Sequence, residues 1–98
     1  MATFFPVATG IGRAEIPALC ADLAALLRGR APGMVTCRLA GPGRPGVATV
    51  EALLRLRLTA RRYGWQLRLH DPTPDLVALL TVLGLADTLT DALTDDET

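Results

Sequence analysis

Lysine is absent from this 98-residue chain, histidine occurs once and cysteine twice. Without a lysine, a second histidine or a clustered acid pair beside a nucleophile, neither a catalytic triad nor a carboxylate dyad can be assembled, so the chain reads as a non-enzyme. Cys20 and Cys37 match neither a CxxC redox pair nor a zinc site, and His70 alone supplies no ligand set. Both cysteines are expected as free thiols, and no metal or cofactor is expected. His70 is expected at the surface near a strand end. Aromatic residues make up only 4% of the chain, and Tyr63 and Trp65 are the only ones near arginines, which is too little stacking surface for a nucleic-acid binder. No apolar run reaches membrane-span length and no basic segment precedes an apolar one at the start. The expectation is a cytoplasmic protein with no membrane insertion.

What is present is apolar mass and segregated charge. Half of the residues are hydrophobic, enough for a packed core without staples. Net charge is zero, but residues 1–68 carry all ten arginines against Glu15, Asp22 and Glu51, a surplus of seven positive charges. Residues 69–98 carry no arginine and seven acids. Such polarity suits mutually answering surfaces or a charged partner protein.

The hydrophobic pattern alternates between the periods of strand and helix. Thr3 to Ala8 reads as a strand, with Pro6 confining it to an edge or a bulge. Ile16, Leu19, Cys20, Leu23, Leu26 and Leu27 follow one helix face, with Pro17 in the first turn. Met34 to Ala40 is a second strand, turning Val35, Cys37 and Leu39 to one side. A Gly/Pro loop, residues 41–46, leads into a helix that starts near Val47 or Thr49 and runs to Tyr63. Val50, Leu53, Leu56 and Ala60 form its buried side. Leu54 and Leu58 fall on a flank beside Arg57 and Arg61, so the apolar arc is wider than one sheet-facing stripe requires.

Trp65 to His70 alternates as a third strand with Trp65, Leu67 and Leu69 inward. Thr73 as cap, Pro74 and Asp75 open a third helix whose expected stripe is Leu76, Leu79, Leu80 and Leu83, closed by Gly84 with Leu85 packing back. Residues 85–94 read either as a short helix, from Leu85, Leu89 and Leu93, or as a short strand at Thr88–Thr90; residues 95–98 are an acidic tail. The expected whole is one domain over residues 1–94, an α/β fold with a mostly parallel sheet and helices mainly on one face. Thr36, Arg38, Gln66 and Arg68 would line the other face.

The glycine-rich loop invites comparison with phosphate cradles, with Arg44 as the anion contact. It lacks the Gly-Lys-Ser/Thr of a P-loop, however, and Pro42 and Pro45 remove two donors.

The arrangement as a whole resembles the STAS domain of anti-sigma factor antagonists, over roughly residues 3–90. Gly10-Ile11 is similar to that family's turn before the first helix, Pro74-Asp75-Leu76 to the start of its later helix, and Gly84-Leu85 to that helix's end. Placing the family's Leu, Leu, Ala and Gly on Val50, Leu53, Ala60 and Gly64 sets its Asp-Ser-Ser-Gly switch on Gly46, Val47, Ala48 and Thr49. The resemblance implies a STAS-like βα superhelix and a kinase-like anti-sigma partner. It also implies a switch whose second Ser is phosphorylated; here that position is Ala48. Thr49, the only hydroxyl in the segment, is then either a helix-start residue or a phosphoacceptor. The expected contact face is Val47, Thr49, Leu54, Arg57, Leu58 and Arg61. Two alternatives stay open: a nucleotide- or anion-binding regulator, and a structural subunit, either a homodimer or a component of a transporter or larger complex.

Overall fold

A computed structural model describes residues 2–70 and 72–84. Three strands, β1 (Ala2–Ala8), β2 (Met34–Ala40) and β3 (Gln66–Leu69), alternate with α1 (Ile16–Leu27), α2 (Val47–Arg62) and α3 (Pro74–Val82). A 3-10 turn at Arg13–Glu15 leads into α1. The strands are parallel in the order β1-β2-β3, with Phe4, Thr36 and Arg68 in one rank and Phe5, Cys37 and Leu69 in the next. This is the α/β architecture that the alternating periods imply.

Side chains that alternate along the strands sort onto two faces. Phe5, Val7, Val35, Cys37, Leu67 and Leu69 join Leu23, Leu27, Leu53 and Leu56 in one buried cluster, so the helices cover this face. Phe4, Pro6, Arg38 and Gln66 point the other way and are exposed. β1 is an edge strand among the described residues, which is where a strand tolerates a proline without an N–H.

The polar face is less open than its sequence suggests. Thr36 is only 7% exposed, and Arg68 is half-buried. Thr36 sits on the central strand between Phe4 and Arg68 in the sheet register.

The helices begin and end where local chemistry dictates. α1 has Pro17 in its first turn and stops at Arg28, followed by Gly29 at φ 79°. α2 starts at Val47 rather than Thr49, with Gly46 in extended conformation before it. α3 is capped by Thr73, whose hydroxyl accepts the Leu76 N–H at 3.2 Å. Its buried stripe is shorter than expected: Leu76 and Leu80 are buried and Leu79 partly so, but Leu83 is exposed. Leu83 is the C-cap of α3, one residue past its last helical position, and still donates its N–H to the Leu79 carbonyl. The alternatives for residues 85–94, the packing of Leu85 and the acidic tail lie outside the described residues.

Candidate functional site

The loop after β2 and the first turns of α2 are built against the turn that follows β1. Gly41 and Gly43 adopt φ of 90° and 102°, a region that side-chain-bearing residues seldom enter, and so let the loop fold over Gly10. The Thr9 N–H and hydroxyl both donate to the Ala40 carbonyl, at 2.9 and 3.1 Å. The Thr49 hydroxyl donates to the Thr9 carbonyl at 2.8 Å and accepts from the Gly46 N–H at 3.0 Å. One side chain thus joins the loop, the start of α2 and the end of β1.

Thr49 is 1% exposed, and its hydroxyl is engaged both as donor and as acceptor. Phosphate transfer to it requires the first turn of α2 to open. Ala48 is half-buried and offers no hydroxyl. Gly46 and Val47 are exposed, and Arg44 stands exposed on the loop. The Gly46 N–H, one donor an anion cradle would use, is already taken by Thr49. Thr9 was not legible as part of this arrangement: its contact with Thr49 spans 40 positions and leaves no local signal.

The outer surface of α2 has a different character. Val47 is 55% and Leu58 61% exposed, Arg61 is exposed, and Leu54 and Arg57 are half-buried. At 3.6 residues per turn these five lie within an arc of about 100° on the helix. The only acid on α2, Glu51, accepts from Arg13 at 2.9 Å and lies 3.5 Å from Arg55. Arg57, Arg61 and Arg62 have no ion-pair partner among the described residues. A shallow groove of about 210 Å³ runs beside this surface, lined by Cys20 of α1 and by Arg55, Leu58, Thr59 and Arg62 of α2.

The remaining reactive side chains lie elsewhere. His70 is exposed at the end of β3, edge-on to Phe4 with ring centroids 6.3 Å apart. Cys37 is buried at the centre of the sheet, and burial pushes its thiol up to about 12. It is therefore protonated at neutral pH and shielded from reaction.

The raised value has a sign for stability. Below pH 9 the thiol is protonated in both states; above it the unfolded chain loses the proton while the folded one keeps it. Stability is therefore expected to fall as pH rises from 9 toward 12. Cys37→Ala should lack that part of the slope in urea titrations run across this range. In the native chain Cys20, half-buried, should react with a thiol reagent while Cys37 stays protected until unfolding.

A family model described as "Mlab, STAS domain" matches residues 6–94. Searches of curated proteins and of solved structures gave no significant match.

Proposed function

The chain belongs to the STAS domain family, and on that premise we propose that it is a protein-interaction module of the anti-sigma factor antagonist type, held permanently in its unphosphorylated form. The observation that carries this reading is the surface of α2, where Val47, Leu54 and Leu58 share one stripe with Arg57 and Arg61. An exposed valine and leucine beside arginines that have no ion-pair partner among the described residues suit a contact surface, and arginine is a favoured residue at protein contacts. The partner in this reading is a kinase-like anti-sigma factor. Its phosphate switch is lost because Ala48 has no hydroxyl and Thr49 is committed to the fold. A phosphate at Ala48 would have stood at the start of α2, against the dipole and beside Val47; its absence leaves the stripe open. Thr49, bonded to the Gly46 N–H and the Thr9 carbonyl, then serves to set the start of α2 and, being buried, drops out of the expected contact face.

Capture of the partner by the full-length chain, followed by titration of the purified pair, tests the reading. Leu54→Asp combined with Arg57→Glu is expected to weaken binding at least about 100-fold, since it removes an apolar contact and reverses a charge. Leu58→Asp, at a site more exposed than Leu54, should weaken it with an unchanged unfolding midpoint. Undiminished affinity in both variants would move the contact off α2.

A further inference from the structure

The groove between α1 and α2 lies on the other side of Leu58 from the stripe assigned to the partner. Leu58 is a wall of the groove and a member of the stripe, so a partner seated on one reaches the other. The groove is lined by Cys20 and Leu58 together with Arg55, Thr59 and Arg62.

Resting on the protein-interaction reading, we infer that the partner enters this groove with an acidic amphipathic helix. One of its apolar side chains packs against Leu58 and Cys20, and carboxylates on either side of it meet Arg62 and Arg61.

Charge complementarity selects the chemistry. The single acid of α2 is held by Arg13 and Arg55, which leaves Arg57, Arg61 and Arg62 unanswered by any described residue. A basic or neutral partner would bury these charges without compensation. The shape selects the helix. Backbone N–H and C=O groups in the middle of α2 are bonded within the helix and cannot pair with an added strand, whereas a channel between two packed helices accepts the ridge of a third. Leu54, Leu58 and Arg61 span about two helical turns, so the partner needs apolar residues at i, i+3 or i+4, and i+7 to follow them.

Photocrosslinking in the full-length chain tests this. Benzoylphenylalanine replaces Leu58 in one protein and, as a control on the open sheet face, Phe4 in another. Each is irradiated in extract of the native host, the crosslinked peptides are sequenced, and circular dichroism verifies folding. The expected adduct forms at position 58, on a peptide of net negative charge with helical apolar spacing. Its yield should drop about tenfold in an Arg61→Glu, Arg62→Glu background. Adducts at position 58 with a neutral or basic peptide, with a second copy or residues 85–98 of this chain, with lipid or with nucleic acid would overturn the inference. A yield indifferent to the two charge reversals would do the same. Protein adducts from Phe4 alone would overturn the groove while leaving an interaction module. Absence of protein adducts from both positions would remove the interaction reading as well.

Discussion

Thr49→Glu is expected to destabilise the chain by about 3–5 kcal/mol, a large share of the stability of a domain this size, because it drives a carboxylate into a buried site where the Thr49 hydroxyl faces the Thr9 carbonyl oxygen. The substitution imitates phosphorylation, so its outcome separates the two roles the sequence leaves open for this residue. If Thr49 is a peg of the fold, the variant unfolds at a much lower urea midpoint, and binding is lost with the structure. If it is an accessible phosphoacceptor, the variant folds normally and only binding changes. Thr49→Val gives the graded control: it keeps the shape, but leaves the Gly46 N–H and the Thr9 carbonyl without their partner. That change should cost about 1–3 kcal/mol. A full-strength urea midpoint for Thr49→Glu would return the phosphoacceptor role to Thr49.

Leu53→Ala is expected to cost about 2–5 kcal/mol, the range for truncating a fully enclosed leucine when its surroundings cannot close the cavity. Leu58→Ala, five positions along the same helix, should stay within about 0.5 kcal/mol, since most of that side chain already meets solvent. Urea unfolding of both variants measures the contrast. The pair divides α2 into a side that holds the sheet and a side free for another molecule. Near-equal costs would mean that Leu58 is enclosed, and the contact stripe would lose its central member.

Much of the fold was legible because its signals are local. Met34–Ala40 reads as a strand from its alternation, and Thr73 as a cap from its place before Pro74 and Asp75. Val50, Leu53, Leu56 and Ala60 are buried as their spacing requires, while Leu54 and Leu58 fall on the flank. The burial of Thr36, the anchoring of Thr49 and the groove depend on neighbours distant in sequence. Thr36 looks like an open-face residue until Phe4 and Arg68 flank it in the sheet. The groove at Cys20 exists only because α1 and α2 pack side by side.

The candidate site divides in the same way. Which residues share the outer stripe of α2 follows from helical period, and that Thr49 is the only hydroxyl of residues 46–49 is read directly from the chain. Sequence therefore determined the order of elements and the buried face of α2, because each is fixed within a few residues of chain. The burial of Thr49 and the shape beside Leu58 were decided by tertiary structure alone. A hydroxyl's freedom depends on whether a distant carbonyl, here that of Thr9, comes within hydrogen-bonding distance, and only the packing of β1 beside β2 brings it there.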